Sequence, residues 1–116
     1  MRAVFERYEA ALARNDVAAL NALFLPSANT VRFGIAEQQY GFEAIAAYRR
    51  AAAPVHPQRR LLRTVISAFG SDIACVSCEF SDPSTPHMGR QMQTWVRTVE
   101  GWRIAAAHVS LSNAAL

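Results

Sequence analysis

The chain has 116 residues, 52% of them hydrophobic, which suits a single domain spanning residues 1–116 around one core and leaves no room for a second. All twelve basic residues are arginine and the net charge is +3; the absence of lysine excludes Schiff-base chemistry, a lysine general base and a Walker-type phosphate lysine together. No run of about 18 or more apolar residues occurs, and the opening MRAVFERYEAALARN is charged every few positions where a secretory leader would be apolar, so a cytoplasmic protein without membrane contact is expected.

Val4, Phe5, Tyr8, Ala11 and Leu12 recur at spacings of three and four, with charged residues turned elsewhere, and predict an amphipathic helix. Asn15 and Asp16 then supply a C-cap and an N-cap in succession. Val17, Leu20, Leu23 and Phe24 carry a second short helix that Pro26 stops. Asn29 to Gly34 and Glu37 to Tyr40 read as two short strands. Phe42, Ile45, Ala46 and Arg49 return to helical spacing, and this third helix must end before Pro54.

The remainder reads as four strands: Arg60 to Phe69, Ile73 to Ser81, Arg90 to Val99 and Trp102 to Leu111, with the last few residues fraying. Helices that precede a run of antiparallel strands argue for an α+β fold, with the three N-terminal-half helices packed on one face of a curved sheet.

Cys75 and Cys78 have a C-x-x-C spacing, but they lie in a strand pattern, where residues three apart point to opposite faces, so two small hydrophobic residues are expected rather than a redox pair. The arginine clusters Arg49-Arg50 and Arg59-Arg60-Leu61-Leu62-Arg63 flank a proline-containing loop and read as solvated ends, which gives no reason to expect nucleic acid. His56, His87 and His108 fall in separate segments without ligand spacing, so no metal is expected. No glycine-rich phosphate loop or G-x-S-x-G elbow is present either.

The C-terminal hairpin, GRQMQTWVRTVEGWRIAAAHVS, gathers Gln91, Gln93, Trp95, His108 and Ser110 on two adjacent strands, a polar set beside a large aromatic that suits the wall of a ligand cavity. Two registers are open. A two-residue Glu100-Gly101 turn pairs His108 with Gln93 and Ser110 with Gln91, whereas a one-residue slip through a glycine bulge pairs His108 with Met92 and splits the cluster. The glutamines could equally lie on the convex face at a dimer interface. As an imidazole, His108 is the readiest general base if it faces the cavity.

The element order α-α-β-β-α-β-β-β-β, a tyrosine in the first helix and the ending Gly-Trp-Arg-Ile-Ala-Ala-Ala-His-Val-Ser resemble the nuclear transport factor 2-like superfamily, the cone-shaped, cystatin-like α+β fold shared by ketosteroid isomerase and polyketide cyclases. More narrowly, Phe5-Glu6-Arg7-Tyr8-Glu9, Val31-Arg32-Phe33-Gly34, Glu37, Tyr40-Gly41 and the segment Gly89 to Arg97 are similar to a subfamily of small proteins encoded beside amidases in cyanuric acid and oxalurate catabolism.

That resemblance implies a homodimer, a cofactor-free role in processing a small carboxylated substrate such as dicarboxyurea on the way to allophanate, and a possible amidase partner. Tyr8 and Arg32 match the positions at which the subfamily carries the tyrosine and arginine that act on substrate, although the chain begins closer to Tyr8 than the resemblance implies. From pattern alone Tyr8 reads as a core aromatic and Arg32 as a solvated edge residue. The resemblance instead turns the phenol into an oxyanion or proton donor and the guanidinium into a carboxylate clamp. Gln93, Trp95, His108 and Ser110 complete the expected substrate-binding set. The alternative to an enzyme is a binding or assembly module for a neighbouring amidase.

Overall fold

The computed structural model describes residues 1–115. Helix α1 (Arg2–Ala13) is followed by Asn15 in the left-handed region at φ 53°, and helix α2 (Val17–Ala22) starts at once because the Asp16 side chain accepts a hydrogen bond from the Ala19 amide at 3.0 Å. After α2 the chain runs extended along the sheet, where Phe24 forms a lone bridge with Ile104. Strands β1 (Val31–Phe33) and β2 (Gln38–Tyr40) form a hairpin, and helix α3 (Phe42–Ala51) follows directly from Gly41. Strands β3 (Arg60–Phe69), β4 (Ile73–Ser81), β5 (His87–Thr98) and β6 (Gly101–Ala115) make a meander. β6 runs on to Ala115 rather than fraying after Leu111, because Ala115 pairs with His87 at the start of β5.

The six strands form one sheet in the order β2-β1-β6-β5-β4-β3. Every neighbouring pair is antiparallel except β1 and β6, which run parallel because the chain crosses through α3 and the meander before returning beside β1. The helices cover one face. Phe5, Tyr8, Ala11 and Leu12 of α1, Leu20, Leu23 and Phe24 from the α2 region, and Ile45 of α3 pack on Ala74, Val76, Cys78, Trp95, Ile104 and Ala107 of the sheet. This is the cystatin-like, nuclear transport factor 2-like arrangement, and no helix among the described residues is long and apolar enough to cross a membrane.

β4 alternates strictly, with Ala74, Val76, Cys78 and Phe80 buried against the helices and Cys75, Ser77 and Glu79 turned outward. The two cysteines therefore occupy opposite faces, and both are free thiols. Burial pushes the Cys78 thiol up to about 11, aided by the charge of Glu9 and opposed by Arg59 and by the hydrogen bond from Gln91. Cys78 is accordingly expected to resist alkylation at pH 8 in the native protein and to react fully on unfolding. Mass spectrometry after timed iodoacetamide treatment checks this, and rapid native labelling of Cys78 would contradict it.

Candidate functional site

Between α1, α3 and the covered face of the sheet lies a cavity of about 160 Å³, lined by Tyr8, Arg32, Tyr48, Arg49, Arg59 and Gln91 among others. Each of these residues reaches it for a local reason.

Arg32 is the middle residue of β1 and pairs with Ala107 of β6, whose side chain is buried in the core, so Arg32 faces the same way while Val31 and Phe33 face outward. Its side chain is 10% exposed. Nη1 donates to Glu37 Oε1 at 2.7 Å and to Gln39 Oε1 at 2.9 Å, Gln39 being its cross-strand partner on β2. Gly34 makes this possible, because a Cβ there would stand where the Glu37 carboxylate folds back over the hairpin. Burial pushes the Glu37 carboxyl upward, but the hydrogen bond and charge of Arg32, with smaller help from the Ala36 amide and Tyr48, hold it below the ordinary glutamate value. The guanidinium also lies 4.5 Å from the centre of the Tyr48 ring.

Tyr8 sits on the buried stripe of α1, stacked against Phe5 at 6.4 Å and edge-on to Trp95 at 6.3 Å. The ring is thus fixed on two sides, while the hydroxyl has no hydrogen-bond partner among the described residues. Burial raises the phenol above its ordinary pKa of 10.0. Arg49 pulls most strongly in the other direction, Glu9 adds to the rise, and Arg32 and Arg59 lower it further. At neutral pH the group is therefore a protonated donor aimed at the cavity.

A second polar cluster closes the opposite wall. Arg59 Nη1 donates to Glu9 Oε1 at 2.7 Å, and Gln91 Nε2 donates to Glu9 Oε2 at 3.3 Å. The Arg59 guanidinium rests on the Phe80 ring at 4.5 Å. Gly89, opposite Phe80 across β4 and β5, leaves the space this ring fills.

The structure divides the residues expected in the cavity. Tyr8 and Arg32 both line it. Gln93 and Trp95 face the same side but lie beneath it: Trp95 is wholly buried under Tyr8 and its Nε1 donates to Gln93 Oε1 at 3.1 Å. Gln93 Nε2 has no partner among the described residues.

His108 and Ser110 are on the other face of the sheet. Trp95 pairs with Ile104 but Thr94 pairs with Ala106, so Ala105 is an extra residue that bulges β6. Beyond it every side chain switches side: Ala107 and Val109 turn inward, His108 pairs with Met92, and Ser110 pairs with Arg90. The His108 ring packs edge-on against exposed Phe33 at 5.8 Å. Both residues are thereby removed from the cavity, and His108 with them as its general base.

Other residues of the cavity escape a reading by pattern. Arg49 is buried and Arg59 half-buried against it rather than solvated, and Glu9, Tyr48 and Gln91 complete their surroundings. Arg49 did carry a signal, since it falls on the same stripe of α3 as Ile45 and Ala46. Arg59 and Glu9 carried none, being 50 residues apart in sequence.

Comparison with known proteins places this geometry in a family. The chain is 54% identical to a cystatin-like fold protein from Burkholderia xenovorans LB400, over 95% of this chain and 87% of that one, with a TM-score of 0.92. It is 50% identical to a protein of unknown function of the DUF3225 family from Pectobacterium atrosepticum SCRI1043, over 97% of this chain and 88% of that one, again with a TM-score of 0.92. A nuclear transport factor 2-like protein of unknown function from Pseudomonas putida KT2440, 20% identical over 99% of this chain and 89% of that one, shares the fold at a TM-score of 0.76. No curated protein matches the sequence significantly. The AtzH-like family model matches residues 1–115, and the chain belongs to the AtzH-like family.

Proposed function

We propose that the protein is a small enzyme that acts on a carboxylated urea compound, converting a dicarboxyurea-type substrate to an allophanate-type product. The observation that carries this reading is the meeting of a protonated phenol without an internal partner and a buried guanidinium at one small cavity. Arg32 holds a substrate carboxylate through the N–H groups that Glu37 and Gln39 leave free. Loss of carbon dioxide breaks a carbon–nitrogen bond and leaves the electron pair on nitrogen, delocalised onto the urea oxygen. A hydrogen bond from Tyr8 to that oxygen stabilises the developing charge, as the handling of oxyanions by fixed donors requires. The nitrogen then takes a proton from water to complete the product, leaving hydroxide that the released carbon dioxide consumes as bicarbonate. Trp95, fixed by its hydrogen bond to Gln93, supports the Tyr8 ring from below without touching substrate.

The test is a steady-state assay of purified protein on dicarboxyurea beside the uncatalysed reaction. Turnover no faster than the spontaneous rate overturns the enzymatic reading.

One observation favours a second reading, a binding module for a neighbouring amidase: with His108 turned away, no imidazole lines the cavity, which leaves deamidation without an evident base. The outer sheet face supports self-association as well. Val65, Ser77, Met92, His108 and Phe33 form one row across five strands, with Val65, Met92 and Phe33 exposed. Charges are sparse along it, as at the core of protein interfaces. A dimer is expected in sedimentation, with Met92→Glu shifting it to monomer. A monomeric wild type at micromolar concentration contradicts this.

A further inference from the structure

Three guanidinium groups border the cavity, and two of them are neutralised from within the protein, Arg32 by Glu37 and Arg59 by Glu9. Arg49 differs. It is 6% exposed, yet among the described residues it has no ion pair and no hydrogen bond from its side chain. A guanidinium cannot lose its proton to escape burial, so the charge persists at the cavity wall.

Two features soften it. Arg49 lies in the last turn of α3, where the helix carbonyls favour a cation, and its guanidinium carbon is 5.5 Å from the centre of the Tyr48 ring. Neither supplies the in-plane oxygen pair that the five N–H donors of a guanidinium are shaped to meet. Asp82, the remaining carboxylate at the cavity rim, is engaged with the amide and hydroxyl of Ser84 in its own turn. The cavity is the side from which a carboxylate can reach Arg49.

The cavity volume of about 160 Å³ is below the roughly 300–1,000 Å³ of sites for drug-sized ligands, so that partner is small. Arg32 and Arg49 also share one aromatic neighbour. Their guanidinium carbons lie 4.5 and 5.5 Å from the centre of the Tyr48 ring, so the two charges are no further apart than the sum of those distances. That spacing suits a short chain with a carboxylate at each end.

We propose that Arg49 is a substrate-binding residue, the socket for a second carboxylate, and that Arg32 and Arg49 together select small dicarboxylates over monocarboxylates. This rests on the reading of the cavity as a carboxylated-urea site and deepens it. Both guanidinium groups rest against the Tyr48 ring, and Tyr8 meets the carbonyl at the middle of the bound molecule.

Glutarate, which has two carboxylates and the chain length of dicarboxyurea, and valerate, which has the length and one carboxylate, are the probes. Isothermal titration of the full chain is expected to show glutarate binding more tightly than valerate. Arg49→Gln is expected to weaken glutarate by about 10–100-fold, the loss of a charged hydrogen-bonded pair, and to remove the preference over valerate. Arg49→Lys is expected to recover part of it as a point charge.

Melting of the ligand-free proteins supplies a readout that a structural arginine would move the other way. Arg49→Met is expected to raise Tm, because it removes a buried charge that has no internal partner. Unchanged glutarate affinity in Arg49→Gln, or a fall in Tm for Arg49→Met, overturns the proposal, as does a wild type that binds no glutarate at millimolar concentration. Glutarate binding that depends on Arg49 in a protein that does not turn over dicarboxyurea upholds the socket and rejects the enzymatic reading. Turnover of dicarboxyurea that is indifferent to Arg49→Gln does the reverse.

Discussion

Tyr8→Phe is expected to lower kcat on dicarboxyurea by about 10²–10³-fold, the effect of deleting one donor to a developing oxyanion, while the protein melts near the wild-type temperature. The separation of the two readouts follows from the packing. The ring contacts with Phe5 and Trp95 belong to carbon atoms that phenylalanine keeps, and the hydroxyl has no internal partner among the described residues to leave behind. Loss of the hydroxyl should therefore cost transition-state stabilisation and little else.

The pH dependence carries its own sign. In the proposed reaction the active form is the protonated phenol, and because burial holds its pKa above 10.0, activity should not decline between pH 7 and 10 through ionisation of Tyr8. A rate that falls through that interval in wild type and stays flat in Tyr8→Phe would place the phenol pKa below its ordinary value, contrary to its burial. A Tyr8→Phe variant with unaltered kcat would remove the residue from the mechanism altogether.

Arg32→Ala has a larger structural cost and is expected to abolish measurable turnover as well. Its removal leaves the buried Gln39 carbonyl without a donor and Glu37 without its counter-ion, and an unsatisfied buried acceptor alone costs about 1–3 kcal/mol. The pH dependence of that loss is testable. Glu37 is held below its ordinary value of 4.5 in the folded protein, so the stabilisation from the pair is complete above pH 4.5 and is lost as pH falls through the depressed folded pKa. Denaturant melts should show the wild type's advantage over Arg32→Ala shrinking at acid pH.

Gly34→Ala separates the roles of the pair from those of the arginine. A methyl group at position 34 displaces the flexible end of Glu37 and leaves Arg32 in place, so substrate should still bind while the acid dependence of stability disappears. Equal acid dependence in Gly34→Ala and wild type would show that Glu37 is not the group responsible.

A rule of alternation survives only as far as the strand stays regular. The bounds of β3 and β4 and the opposite faces of Cys75 and Cys78 follow from period-two patterning, because nothing interrupts those strands near the cysteines. In β6 the same rule fails at Ala105. Ile104 and Ala105 to Ala107 have no polar residue or glycine to mark which one bulges, and the choice rests on how β6 meets both β5 and β1. One unmarked residue therefore decides that His108 and Ser110 leave the cavity and Val109 enters it.

Amino-acid pattern by itself determined the number and order of elements, the buried stripe of α1 that carries Tyr8, the N-cap at Asp16, and the class of the fold, since each depends on neighbours within a turn or a strand; the C-cap of α1 is Arg14, one residue before the expected Asn15. Tertiary structure alone decided which arginines of the cavity are neutralised from within the protein. Arg59 meets Glu9 from 50 residues away, Arg32 meets Glu37 only because the hairpin folds back at Gly34, and Arg49 is left facing the cavity. The physical reason is that the cost of burying a charge is set by where its counter-charge lies in space, and local sequence spacing carries no information about that distance.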